Sequence, residues 1–384
     1  MRKIVEFELL SPLMCGGVRV ADNFLESEKF IRGSVLRAAF ANDILLECPL
    51  ADMPSEDGKL NYIELKQPEG KCANCVHREK CRKFSDMYFS FAYPQKSIPA
   101  PMTLRACKSS GLKHPLQDII YQKGRLSCSE CQSGTKRMEG FKGYLRMEDN
   151  VYVETKVNFL LSTHTAIDYH THTAEDGKLF SIKAVPAGWH FTAEIDDCDS
   201  GMLFEGKEIY VGKYSSVGYG KLKIVSITDS IEITEQLISK KVEKFQKNLD
   251  APYKAALLFL SDAIFDIPIT KTSQSTKDYL ELWQNVIIGD ANSPVRVEKV
   301  YAETQLYSGY DTSESWGNWK VKEPKLYILK GTSVLLDISN ERIEEAMSLL
   351  TDIAKNGVGC RTSDGFGAVA VCHDLHQLGV CSHE

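Results

Sequence analysis

Six of the chain's twelve cysteines fall between Cys72 and Cys131, and four of these form two Cys-x-x-Cys pairs, Cys72/Cys75 and Cys128/Cys131. Cys81, Cys107, His77 and His114 lie between the pairs. Each turn-borne pair offers a metal two thiolates at once, and four thiolate or imidazole ligands in a closed tetrahedron make a structural zinc site. The ligands can be chosen in two ways: Cys107, His114, Cys128 and Cys131, or the two Cys-x-x-Cys pairs together. A site closed by four protein ligands keeps no position for a hydrolytic water, so no catalysis is assigned to it. A disulfide framework is the weaker reading, because a chain of 384 residues needs no staples.

Two glycine-rich stretches offer a second chemistry. The first reads VGKYSSVGYGKLKIV, Val211 to Val225, and the second GVGCRTSDGFGAVAV, Gly357 to Val371. At a constant offset of 147 residues, Ser216 matches Ser363, Gly218 matches Gly365, Tyr219 matches Phe366 and Gly220 matches Gly367. The pattern implies a duplicated unit. Neither stretch is a nucleotide cradle: a P-loop needs Gly-Lys-Ser/Thr, and Gly220-Lys221 is followed by Leu222. Nor does either sit between a strand and a helix as a dinucleotide fingerprint must. What glycines supply is positive φ and close backbone approach, so that successive N–H groups can face phosphate oxygens. Lys213, Lys221 and Arg361 add charge, Ser215, Ser216, Thr362 and Ser363 add hydroxyls, and Tyr214 is a stacking candidate. The plainer reading is a glycine turn with Tyr219 and Phe366 in the core.

The elements that must position these residues are legible in outline. Val5, Phe7 and Leu9 alternate with Glu6 and Glu8, the period of a half-buried strand. A helix follows, capped by Gly33 and Ser34 and running to Leu46, with Arg32 and Arg37 flanking its positive dipole end. That arrangement wants an anion; otherwise it is two solvated arginines. From Cys48 to about Asn150 periodicity lapses into turns, cysteines and basic residues, as in an insertion. VYVETKVNFLL, KLFSIKAV, WHFTAEI and KLKIVSI then read as strands, and residues 228–249 as a polar, helical connector. A second half opens with the buried KAALLFLSDAIF. Its helix is capped by Asn340, carries Ile343, Ala346, Met347, Leu350 and Ile353 on one face, and stops at Gly357. His164, Tyr169 and His170, on a hairpin, are candidates for stacking on single-stranded bases, though such residues also serve simply as packing. Net charge is −6, which speaks against a bulk nucleic-acid binder and confines any polyanion site to a local surface. No apolar run approaches the ~20 residues of a membrane span, and a cytoplasmic location is expected.

On these stretches the sequence resembles the RAMP superfamily of CRISPR effector subunits. FIRGSVLRAAFA resembles its Gly-Ser-x-x-Arg helix start, FSDMYFSFAYP its segment ending in Ala-x-Pro, and HTAIDYHTHTAEDGKLFSIKAVPAGWHFTAEI its long hairpin. NWKVKEPKLYILKGTSVLLDI resembles a stretch of the second domain. The element Pro99-Ala-Pro-x-Thr103, with Cys107, His114 and Cys128-x-x-Cys131, is most similar to the type III-D subunit that caps the 5′ end of the guide RNA. The resemblance implies an α+β chain of two ferredoxin-like (RRM-like) domains, 1–228 and 250–384, joined by the connector 229–249, with a zinc-binding insertion at about 48–150. It favours Cys107, His114, Cys128 and Cys131 as ligands of a structural zinc, leaving Cys72, Cys75 and Cys81 as a second site or free thiols. It implies a non-catalytic role: binding the crRNA 5′ handle beside the large polymerase-like subunit and the backbone RAMP subunits, and meeting target RNA indirectly. The residues expected at RNA are Arg32, Ser34, Arg37, His164, Lys213, Tyr214, Ser215, Ser216, Gly218, Tyr219, Gly220, Lys221, Arg361, Ser363, Gly365 and Phe366.

Three enzymatic readings compete. A RAMP endoribonuclease would use His164, His170 or His172 as general acid or base. Target-RNA cleavage would draw on Asp43 or Asp168. A zinc-stapled metabolic enzyme would bind free nucleotides at the glycine loops.

Overall fold

The computed structural model describes residues 2–377 except 17, 22, 47, 49–74, 85, 122–125, 132–135, 150, 169, 197–200, 267–274, 291, 308–309, 312–319 and 322. The first strand, Arg2–Leu9, has the faces its alternation requires: Val5, Phe7 and Leu9 are buried. Each such side chain contributes about 1.5–3 kcal/mol on leaving water. The strand lies inside an antiparallel sheet ordered Glu208–Tyr210, Lys221–Asp229, Arg2–Leu9, His190–Asp196, Tyr93–Pro94. Helix Gly33–Leu46 covers it with Leu36, Ala39, Phe40 and Ile44, and Phe40 meets Phe89 at 5.6 Å between ring centroids. Gly33 is the first helical residue, so Ser34 lies within the first turn and the flanking position falls to Arg32, whose carbonyl accepts from the N–H groups of Val35 and Leu36.

The second half repeats the plan. Lys254–Phe259, helix Thr276–Ile287, Val295–Tyr301, Ser333–Ile338, helix Ile343–Asn356 and Val369–Val371 follow in chain order. In space, with strands numbered along the chain, the sheet runs 2-3-1-4, all antiparallel. In the first sheet Tyr93–Pro94, His190–Asp196, Arg2–Leu9 and Lys221–Asp229 follow the same order, with Glu208–Tyr210 added beyond Lys221–Asp229, but among the described residues no α-helix stands between His190–Asp196 and Lys221–Asp229. Each half places a hairpin between its second and third strands: Leu160–Ile167 with Ala174–Ala184, and Thr304–Tyr307 with Lys325–Ile328. The connector is helix Glu235–Leu249, capped by the Thr234 side chain and burying Ile238, Val242 and Phe245.

Two sequence expectations for the last helix are corrected. Asn340 begins a 3-10 turn, Asn340–Arg342, so the position before the helix is Arg342 and no side-chain cap forms; Ile343, at the junction, is 43% exposed. Residues 88–94, within the expected insertion, run along His190–Asp196 as an edge of the first sheet: the Ser90 N–H donates to the Glu194 carbonyl and the Asp196 N–H to that of Tyr88. The cysteine-bearing part beyond them packs on the second half through Leu104, Leu116 and Leu145 against Leu258 and Leu375. A buried Asp118–His376 contact of 2.9 Å, with the Thr103 hydroxyl also donating to Asp118, ties the two together. The architecture is α+β with several antiparallel sheets, and among the described residues no helix is long and apolar enough to cross a membrane.

Candidate nucleic-acid interface and metal centre

The two glycine stretches adopt one conformation at the 147-residue offset. Tyr214 and Arg361 are left-handed (φ 63° and 59°), 3-10 turns Ser215–Val217 and Thr362–Asp364 follow, and Gly218 and Gly365 close them at φ 94° and 78°. Both are seated alike on the segment after each half's first strand. The Lys213 N–H donates to the Met14 carbonyl and that of Cys360 to Ile264; Gly220 donates to Pro12 and Gly367 to Asp262. Ser11 and Ser261 hydroxyls accept from the N–H groups of Lys221 and Ala368. A methyl at Gly220 would stand 1.9 Å from the Val211 carbonyl oxygen, and at Gly367 1.8 Å from that of Val358. Glycine is obligatory there for space as well as for φ.

Their surroundings differ. In the first loop Lys213, Ser215, Ser216, Val217 and Gly218 are exposed, and a side chain built at Gly218 would meet nothing. The N–H groups of Lys213, Val217, Gly218, Tyr219, Gly220 and Lys221 are used within the protein, whereas those of Ser215 and Ser216 have no partner among the described residues. Two adjacent amides, two hydroxyls and the Lys213 ammonium therefore face solvent together, a donor set suited to a phosphodiester. Lys221 is engaged instead with Glu208 at 2.7 Å, a hydrogen bond that raises its pKa. Tyr214 and Tyr219 turn inward on Met14 and the long hairpin. Ser162 and His164 of Leu160–Ile167 meet the loop: His164 stacks on Phe180 (5.3 Å), its Nε2 lies 3.0 Å from Ser162 Oγ and 3.3 Å from Tyr219 Oη, and Ser162 Oγ lies 3.2 Å from Tyr219 Oη.

The second loop is packed against the first half. The Phe89 N–H donates to the Ser363 carbonyl at 2.9 Å, and Phe366 is buried between Phe91 and Tyr327. Arg361 folds back onto Asp364 at 2.8 Å. The anions sought by the first helix are supplied here by the protein itself. Arg37 Nε lies 2.7 Å from Asp364, and Arg32 reaches Glu28 at 3.4 Å and the fully buried Asp262 at 3.6 Å. Burial opposes charge at Arg32, but Glu28 and Asp262 outweigh it and raise its pKa; at Arg37 burial prevails over Asp364 and lowers it. Asp262 and Asp364 carry no local signal of their pairing with Arg32 and Arg37, which lie 230 and 327 residues away, nor Ser162 of its contact with Tyr219, 57 residues away. Asp43 pairs with Lys207 at 2.6 Å, while Asp168 accepts the Thr171 and His170 N–H groups, which hold its carboxyl below the usual range. Tyr169 and Cys72 lie outside the described residues.

Of the two ligand sets the sequence allowed, the geometry assembles Cys107, His114, Cys128 and Cys131, whose ligand atoms all lie within 4.8 Å of one another. Cys107 Sγ is 3.4 Å from Cys131 Sγ, and His114 Nδ1 is 3.1 Å and 3.6 Å from the Cys128 and Cys131 sulfurs. A tetrahedral zinc with Zn–S of about 2.3 Å sets sulfurs about 3.8 Å apart, so the four atoms fit with a small outward adjustment. Burial disfavours a Cys107 thiolate, yet the N–H groups of Ser110 and Ser109 and the neighbouring thiols hold its pKa down, whereas the hydrogen bond that Cys131 donates to Cys107, together with burial, pushes Cys131 up. Three clustered thiols cannot all ionise without a cation among them.

No protein-family model and no curated protein matches the chain. Among solved structures it is similar to a chain of the Type III-B Cmr-beta complex bound to cognate target RNA, with 14% identity over 93% of this chain and 96% of that one, at a TM-score of 0.40. The same complex with cognate target RNA and AMPPnP gives 15% identity, coverage of 96% and 98%, and a TM-score of 0.41. Its apo state gives 13%, coverage of 58% and 96%, and 0.30. Likeness at this level carries no argument about this chain's fold or function.

Proposed function

We propose that the chain is a non-catalytic subunit of a type III CRISPR effector, built of two ferredoxin-like domains at 1–228 and 250–384, that binds the 5′ handle of a crRNA and caps the ribonucleoprotein. The observation that carries this reading is the duplicated glycine loop, one copy of which leaves two adjacent amides, two hydroxyls and a lysine open to solvent. The RAMP-like stretches of the sequence supply the identity of the RNA and of the neighbours, a polymerase-like large subunit and backbone RAMP subunits. Cys107, His114, Cys128 and Cys131 would hold a structural zinc, which supplies closure of the insertion and no reactive position.

The test is the salt dependence of binding to an RNA oligonucleotide with a repeat-derived 5′ end. Each phosphate neutralised on a single strand contributes about 0.7 to the slope of log K against log salt. Lys213→Ala is expected to lower that slope by about one such contribution and to weaken binding several-fold. An unchanged slope and affinity would take the first loop out of the RNA site.

One observation favours a second reading, an endoribonuclease. His164, Ser162 and Tyr219 form a hydrogen-bonded cluster beside the open loop, and an imidazole beside a phenol is a donor set that can exchange protons with a 2′-OH. Under that reading, incubation shortens a bound precursor RNA and His164→Ala abolishes the cut. Under the binding reading, the RNA stays intact with either protein.

A further inference from the structure

We infer that the second glycine loop is a clasp between the two halves, with Arg37 as its positioning residue, so that the chain has one RNA-facing loop although it carries two copies. The clause about RNA rests on the reading above; the clasp itself stands on packing. Three backbones converge at it without room for a side chain: a methyl at Gly33 would lie 2.1 Å from the Phe89 carbonyl oxygen and 2.2 Å from that of Asp364, and one at Gly365 would lie 2.4 Å from Phe89 O. Arg37 closes the junction. Its Nε pairs with Asp364, its Nη atoms donate to the carbonyls of Phe84, Met87 and Ser363, and its plane lies near the rings of Phe84 and Phe89 at 5.6 and 5.2 Å. A rigid fork of donors suits that role, since it joins residues 84–89 of one half to 363–364 of the other in a single contact. In the first copy, Val217 takes the place of Asp364 and stands 70% exposed. The carboxylate that recruits Arg37 is thus one of the residues at which the two copies differ, and Cys360 in the place of Lys213 leaves the second loop without that ammonium.

The test combines hydrogen exchange at the Phe89 amide, thermal unfolding and the salt slope of RNA binding, on the full chain. Arg37→Ala and Gly33→Ala are expected to speed exchange at Phe89 at least tenfold and to lower the melting temperature by several degrees, with the salt slope unchanged. Arg37→Lys, which keeps the charge and loses the fork, is expected to behave like Arg37→Ala and serves if Gly33→Ala does not fold. A slope reduced by about 0.7 in Arg37→Ala alone, with Phe89 exchange unaltered, would make Arg37 a phosphate contact and overturn the clasp. If the wild type binds no RNA, the RNA reading fails, while the exchange and melting results still decide the clasp.

Discussion

Cys128→Ser is expected to yield a protein without bound zinc whose melting temperature falls by ten degrees or more. The Cys128 thiol is buried beside His114 Nδ1 and packs with Cys107 and Cys131. Removing one of four ligands would leave an open set of two crowded thiols and an imidazole too weak to retain the metal. Structural zinc supplies roughly 10 kcal/mol or more of folding free energy in small domains, so even partial loss is large against the ~5–15 kcal/mol of a whole domain. The effect should spread beyond the insertion, because Leu104, Leu116 and Leu145 share a core with Leu258 and Leu375 of the second half. Metal analysis by mass spectrometry, with about one zinc per wild-type chain, and a thermal melt check it; equal metal content in wild type and variant would refute the assignment.

The second large effect concerns the paired glycines. Gly220→Ala and Gly367→Ala introduce the same clash, about equally close to a backbone oxygen, at φ 74° and 66°. Each oxygen belongs to a residue that is itself tied to the glycine, since the Val211 N–H donates to the Gly220 carbonyl and the Val358 N–H to that of Gly367, both at 2.9 Å. Each variant is therefore expected to lose about 2–4 kcal/mol of stability. Their other consequences should part. Gly220→Ala displaces Ser215 and Ser216 and is expected to weaken RNA binding at least tenfold, whereas Gly367→Ala loosens the junction of the halves and should change RNA affinity little. Gly218→Ala, with open space at its Cβ, is the control, costing about 1 kcal/mol for its φ alone. Equal affinity for all three variants would separate the loops from RNA.

The repeat of the loops was legible because glycine demands are local: positive φ and close approach are met at the residue itself, and the matching positions show them. The strand Arg2–Leu9, the helix to Leu46 and the connector helix were legible for the same reason, since periodicity is read within one element. What lay beyond the sequence is long-range. Arg32 and Arg37 suggested an unmet anion, and nothing near them in sequence reveals that Asp262 and Asp364 meet it. Both helix starts misled for a related reason. Ser34 and Asn340 are good caps by residue type, but each helix begins where packing places its first turn, one residue before Ser34 and three after Asn340. The metal cluster fell between the two cases: the spacing allowed two ligand sets, and only the fold brings Cys107 and His114 to Cys128 and Cys131.

A chain that holds the 5′ end of a guide RNA on its first glycine loop should carry that RNA out of the cell. The most direct measurement is co-purification of the tagged protein from its native host, followed by ultraviolet cross-linking and sequencing of the bound RNA. Short RNAs sharing one repeat-derived 5′ end are expected, cross-linked within residues 213–219 and not within 360–366. A chain that comes down free of RNA, or RNA cross-linked only at the second loop, would contradict that placement of the RNA.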